Sequence, residues 1–283
     1  MKIIECPRDA MQGLAEFIPT EQKIRYINQL LEVGFDTIDF GSFVSAKAIP
    51  QLRDTVDVLN ALNWKTSPTK LLAIVANTRG AEEACKHEAI TYLGFPLSIS
   101  ETFQQRNTNK SIAEALNTVA EVQELCGQSG KQLVSYISMG FGNPYGDPYD
   151  VKTVEQFVDI LVTLGIRIIS LADTIGVSNP ENITFLFTSI IKKFPEIELG
   201  AHLHSNPTST FEKVEAAFKA GCKRFDGAIK GFGGCPMAKD ELVGNLATET
   251  IVECLARYGA APVINQQAFQ KSLLMAHEIF PKH

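Results

Sequence analysis

His202 and His204 are the residues of this chain best suited to chemistry, because two imidazoles one residue apart on an extended segment point the same way and can grip one metal ion. The stretch Glu198-Leu199-Gly200-Ala201-His202 reads as a short buried strand, which sets the pair where a strand ends. Only five histidines occur, and His87, His277 and His283 lie in charged or terminal stretches, so the pairing is no by-product of histidine richness. Two such histidines can equally be polar groups bonded to backbone or water. Partners elsewhere in the chain decide between the two readings.

The elements that must carry those partners alternate along the sequence. Apolar runs at Lys2–Cys6, Thr37–Asp39, Leu71–Ala76, Ala89–Leu93, Leu133–Ser138, Ile168–Ala172, Leu199–His202 and Arg224–Ala228 read as strands, each followed by a helix-like segment. Helical spacing is plain in Ile24, Ile27, Leu30 and Leu31, and again in Phe157, Ile160, Leu161 and Leu164. Thr20 before Glu21, Ser111 with Glu114 three places on, and Asn179 before Pro180 are the expected helix starts. Eight strand–helix pairs without a linker predict an α/β fold, a single (β/α)₈ TIM barrel over residues 1–283 with a short C-terminal helical extension. An open doubly wound sheet is the competing architecture.

A barrel makes a sharp demand: functional groups belong at the C-terminal ends of its strands or in the loops just after them. Arg8, Asp9 and Gln12 follow strand one, Asp39 and Ser42 end or follow strand two, and Asn77 and Arg79 follow strand three. Asp173 follows strand six, the histidine pair ends strand seven, and Lys230 to Asn245 form a long loop after strand eight. If the barrel closes, strands one, seven and eight are neighbours, so Asp9, His202, His204 and Asn245 converge on one point. Arg8, Gln12, Ser42 and Asn77 are the expected substrate contacts, Asn77 with Arg79 toward any distal portion.

Composition excludes several other classes. A chain of 283 residues, 45% hydrophobic and 20% charged with formal net charge −6, is an ordinary globular protein without the basic face that nucleic acid demands. No apolar run is long enough to cross a bilayer, and Met1-Lys2-Ile3-Ile4-Glu5 lacks the pattern of a secretory signal, so a cytoplasmic protein is expected. Cysteines 6, 85, 126, 222, 235 and 254 show no C-x-x-C spacing, which fits reduced thiols rather than a zinc knuckle or disulfide framework. Cys235 stands apart, set between glycines and a proline in a polar loop.

The motifs Cys-Pro-Arg-Asp-Ala-Met-Gln-Gly at 6–13, Ser-Phe-Val-Ser at 42–45, Asp-Thr-Ile-Gly at 173–176, His-Leu-His at 202–204 and Gly-Gly-Cys-Pro-Met-Ala through Gly-Asn-Leu-Ala-Thr-Glu at 233–249 resemble hydroxymethylglutaryl-CoA lyase. That family belongs to the metal-dependent carbon–carbon lyases and Claisen-type synthases built on a barrel. The resemblance implies that Asp9, His202, His204 and Asn245 bind a divalent cation, that Arg8 supports a developing enolate, and that Cys235 sits on a mobile loop and transfers a proton. Asp39, Asp173 and His202 join them as candidate catalytic groups. The carboxylate and amide oxygens favour Mg²⁺ or Mn²⁺, the preferred reading, while the imidazoles leave Zn²⁺ or iron as alternatives. The implied reaction is cleavage of 3-hydroxy-3-methylglutaryl-CoA, a CoA thioester, to acetoacetate and acetyl-CoA by a homodimer.

This chain departs from the family pattern at Asp39, where Glu is usual, at Cys6 and Ala10, where Gly is usual, and at Ser205, where Asp is usual. The stretch from Lys239 to Val243 is also one residue longer than its usual counterpart. Alternatives are lyase action on another 3-hydroxyacyl-CoA, a condensing synthase joining acetyl-CoA to a 2-oxo acid, a zinc hydrolase, and a non-catalytic binding protein. Gly-Gly-Cys-Pro favours cleavage over condensation, and zinc hydrolases on barrels usually place His-x-His at the first strand rather than the seventh.

Overall fold

The computed structural model describes residues 1–234 and 243–280. Its strands are β1 (Lys2–Glu5), β2 (Thr37–Ser42), β3 (Lys70–Ile74), β4 (Ile90–Ser98), β5 (Gln132–Ser138), β6 (Ile168–Asp173), β7 (Glu198–Ser205), β8 (Arg224–Gly227) and the two-residue β9 (Gly244–Asn245). The α-helices are α1 (Pro7–Gln12), α2 (Thr20–Val33), α3 (Thr55–Asn60), α4 (Thr78–Cys85), α5 (Glu101–Thr108), α6 (Ile112–Gln128), α7 (Val151–Thr163), α8 (Pro180–Lys193), α9 (Thr210–Lys219), α10 (Thr248–Arg257) and α11 (Gln266–Ile279). β1 to β8 pair in parallel around a ring, with β1 beside β8 and the β6–β7 pairing completing closure, so the fold is a (β/α)₈ TIM barrel and not an open sheet. Both faces of the strands are covered, as the helices of such a barrel require: every residue of β2, β6 and β8 is buried.

All eight expected strands form. Four run further than anticipated: β2 reaches Ser42, β4 reaches Ser98, β6 takes in Asp173, and β7 continues past His202 to Ser205 because Asp173 pairs with Leu203 and Asn245 with His204. β9 is a pairing that a two-residue strand cannot announce in sequence. Ser111 and Glu114 form a reciprocal capping box on α6, and Asn179 with Asn182 forms another on α8 behind Pro180. Thr20 is not a cap: α2 starts at Thr20 itself with Pro19 before it, and the Thr20 hydroxyl donates instead to Asp54 Oδ2 at 2.8 Å. Among the described residues the five cysteines are unpaired, and no helix is long and apolar enough to cross a membrane.

Glu5 at the end of β1 is fully buried, accepting from Ile229 N–H at 2.9 Å and from the Thr248 hydroxyl at 2.6 Å, so it ties the loop after β8 to the first turn of α10. Burial pushes its carboxyl up to about 8, against the lowering effect of those two hydrogen bonds. In the unfolded chain it ionises near 4.5. Between these values the folded state holds the extra proton, so stability falls as pH rises, by about 1.4 kcal/mol per pH unit for this one group. Replacing Glu5 with Gln keeps an acceptor for Ile229 and a partner for Thr248 while removing the titration. Urea unfolding from pH 5 to 8 should therefore show a flatter profile for Glu5→Gln than for wild type; parallel profiles would remove Glu5 as the cause.

Candidate active site

At the C-terminal mouth of the barrel a cavity of about 370 Å³ opens, and part of the expected site gathers there. Arg8, Asp9 and Gln12 reach it from α1, Thr174 from the loop after β6, and His202 and His204 from β7. The ligand atoms of Asp9, His202 and His204 all lie within 4.8 Å of one another. Residues two apart on β7 share a face, which is why both imidazoles enter the same cavity.

The two imidazoles are held by different partners. His204 Nδ1 lies 3.1 Å from the Thr174 carbonyl, a contact that requires the proton on Nδ1 and leaves a lone pair on Nε2. That Nε2 is buried and has no hydrogen-bond partner among the described residues, so its lone pair is available to a metal ion. Burial and then the neighbouring His202 lower the pKa of His204, keeping it neutral. His202 Nδ1 lies 3.2 Å from Asp226 Oδ2. Burial opposes protonation of His202, yet Asp226 outweighs it and raises the pKa. A carboxylate behind a ligating imidazole fixes its tautomer and orientation.

Asp9 accepts from Arg8 Nη1 at 2.8 Å, from Gln12 Nε2 at 2.6 Å and from Asn245 Nδ2 at 2.8 Å. Burial alone would raise its pKa; Arg8 and the two histidines hold it down at about 2, so it is ionised throughout the working range. Asn245 lies opposite His204 in the β7–β9 pair and also donates to the Phe232 carbonyl at 2.9 Å, which commits its amide hydrogens and leaves Oδ1 as its remaining polar atom. The loop stem beside it depends on Gly233, at φ +84°: a Cβ there would stand 2.7 Å from Asp9 O and 2.6 Å from Ala10 Cα. Cys235, the expected proton-transfer residue, lies outside the described residues.

Asp39 does not line the cavity. Its carboxylate stands behind Arg8, accepting from Nη2 at 2.5 Å and Nε at 3.0 Å. Burial lifts Asp39 to about 6 despite Arg8, while Arg8, opposed by burial, is driven above its ordinary range by Asp39 and Asp9. Three of the five guanidinium N–H groups are thereby engaged, leaving two for the cavity.

Four further expected site residues are not among those lining the cavity: Asn245, whose amide is turned to Asp9 and Phe232, and three whose side chains are claimed by backbone amides. Asp173 accepts from Val177 N and Ser178 N, and from Lys213 Nζ at 3.2 Å; Lys213 also donates to the His204 carbonyl at 2.7 Å. Asn77 caps α4 through Gly80 N, and Ser42 Oγ accepts from Val44 N. Sequence reasoning missed Asp226, although Arg224 and Asp226, two charges two residues apart on a buried strand, were the signal. It also missed Tyr136, whose ring packs edge-on to His202 with centroids 5.4 Å apart.

A closed parallel barrel with an Asp–His–His group at its mouth and a buried Arg beside it defines the class: a barrel protein with a candidate metal centre. The sequence pattern of the HMGL-like family matches residues 2–275, and the chain belongs to that family. It is 35% identical over 252 residues to hydroxymethylglutaryl-CoA lyase of Bacillus subtilis, covering 88% of this chain and 82% of that one. The mitochondrial hydroxymethylglutaryl-CoA lyase of Mus musculus is 33% identical over 268 residues, covering 94% and 82%. The structure of an HMG-CoA lyase from Acinetobacter baumannii in complex with coenzyme A and 3-methylmalate superposes with TM-score 0.90 at 30% identity, over 99% of this chain and 90% of that one.

Proposed function

We propose that this chain is a carbon–carbon lyase that cleaves 3-hydroxy-3-methylglutaryl-CoA to acetoacetate and acetyl-CoA, with Mg²⁺ or Mn²⁺ held by Asp9, His202 and His204 and completed by Asn245 Oδ1. The observation that carries the metal reading is the buried, unpartnered Nε2 of His204 beside Asp9 and His202. Chelating oxygens of the substrate would fill the remaining positions, which suits a hard cation. When bound, such a cation supplies Lewis acidity that lowers the pKa of the tertiary hydroxyl.

The chain's own groups handle the rest. As a general base takes the hydroxyl proton, that carbon becomes the ketone of acetoacetate, the carbon–carbon bond breaks, and its electron pair passes to the thioester as an enolate. Arg8, always charged and braced by Asp39, presents its two free N–H groups where that negative charge develops. Asp39 thus acts by positioning Arg8, and Asp173 by bracing the loop that carries Thr174. Gln12 orients Asp9, and the apolar wall formed by Ile74, Ala76, Pro96 and Phe103 receives the acyl chain and excludes water. Cys235 donates the proton that converts the enolate carbon to the methyl group of acetyl-CoA, as the resemblance implies. The reaction is assigned to a homodimer, as the resemblance implies, and to the cytoplasm, in keeping with the N-terminal pattern read from the sequence.

Incubating purified protein with 3-hydroxy-3-methylglutaryl-CoA and Mg²⁺ or Mn²⁺ should release acetoacetate and acetyl-CoA in equal amounts, and chelation should stop it. Untouched substrate together with consumption of acetyl-CoA and a 2-oxo acid would move the chain to the condensing synthases.

A further inference from the structure

Inside the barrel, charges alternate from the lower rim up to the metal-binding group. Lys2 Nζ meets Glu198 Oε2 at 2.5 Å, and Glu198 Oε1 accepts from Arg224 Nη1 at 3.2 Å. Arg224 Nε then lies 3.8 Å from Asp226 Oδ1, and Asp226 Oδ2 is 3.2 Å from His202 Nδ1. The side chains of Arg224 and Asp226 are wholly shielded from solvent.

The barrel makes room for this guanidinium. Tyr136, Ser170, Gly200 and Arg224 are successive register partners across β5, β6, β7 and β8, so they form one interior row. A Cβ at Gly200 would collide with Ser170 Oγ and stand 2.9 Å from Arg224 Cδ, so only glycine lets the Arg224 stem lie across β7. Branched apolar side chains ordinarily fill such a layer. Burying an ion pair is costly, and Arg224 Nε, Arg224 Nη2 and Asp226 Oδ1 have no hydrogen-bond partner among the described residues, so Arg224 acts on Asp226 through charge alone, at 3.8 Å. Packing stability therefore does not account for an arginine here, whereas a task at the neighbouring site does.

We infer that Arg224 is a positioning residue for the metal centre: it holds the Asp226 carboxylate so that His202 keeps its proton on Nδ1 and turns the Nε2 lone pair toward Asp9 and His204. This rests on the reading of Asp9, His202 and His204 as metal ligands. Glu198 anchors the far end of Arg224, so the chain of contacts reaches from the lower rim to an imidazole in the active-site cavity.

The test combines Mn²⁺ titration calorimetry with ¹H–¹⁵N spectra of the histidine rings in metal-free protein. At a pH high enough for the ring to be neutral, wild type should show His202 as a single Nδ1–H tautomer. Arg224→Met, with its fold checked by circular dichroism, should show mixed tautomers and bind Mn²⁺ about tenfold more weakly or worse, as expected when support behind a ligand is lost. Arg224→Lys, which keeps the charge, should recover most of that loss. Folded Arg224→Met with wild-type tautomer and affinity overturns the proposal, as does a neutral wild-type His202 ring that carries its one proton on Nε2. Should Arg224→Met not fold, Glu198→Gln at the half-exposed end reads the same link: an approximately threefold weakening supports it, and unchanged affinity overturns it. Wild type that binds no Mn²⁺ overturns the metal reading and this proposal together, whereas normal binding with unchanged variants overturns this proposal alone.

Discussion

His204→Ala should lose both the divalent cation and the activity. The imidazole offers a neutral Nε2 that nothing else in the described structure satisfies, and its orientation is locked from behind by the Thr174 carbonyl. Removing support behind a ligand costs roughly 10–100-fold in metal affinity, so removing the ligand itself should cost at least about 100-fold. Turnover should fall with it, partly recoverable at high Mn²⁺. The fold should survive, because the deleted ring projects into a cavity rather than into packed core, so the metal-free variant should melt close to metal-free wild type. Retention of a full equivalent of Mn²⁺ at wild-type affinity, measured by calorimetry, would falsify the role given to His204.

Much of this site could be read before any coordinates, for reasons that are local. Strand and helix segments are long, repeat eight times and carry clear periodicity, and parallel closure then dictates that residues after strands one, seven and eight meet. Asp9, His202 and His204 follow from that rule alone. What resisted reading depended on where a side chain turns at the end of its strand. Asp39, Asp173, Ser42 and Asn77 all stand where a barrel keeps its chemistry, yet Arg8 or nearby backbone N–H groups claim each one. A short polar side chain beside free amides folds back on them, and no spacing in sequence separates that outcome from a ligand contact. Asp226 was hidden for the opposite reason: its neighbours make it look like a strand residue, and its importance comes only from facing His202 across the β7–β8 boundary.

Arg8→Lys should leave metal binding nearly intact and slow turnover by about 10²–10³-fold with little change in KM, the loss expected when one preorganised donor to a developing oxyanion is removed. The argument turns on geometry rather than charge. Arg8 spends three N–H groups on Asp39 and Asp9 and still has two for the cavity, because a planar fork can serve two carboxylates and a third acceptor at once. An ammonium group has three hydrogens in all; held between Asp9 and Asp39 it has at most one left, and its shorter reach withdraws that one from the cavity. The buried carboxylates keep a countercharge, so stability should fall far less than in Arg8→Met, where two acidic groups lose theirs and several kcal/mol (roughly 3–5) should disappear. Steady-state kinetics with 3-hydroxy-3-methylglutaryl-CoA at saturating Mn²⁺ separate the cases. A loss confined to KM would mean that Arg8 only binds substrate, and a loss that follows metal content would mean that it only braces Asp9.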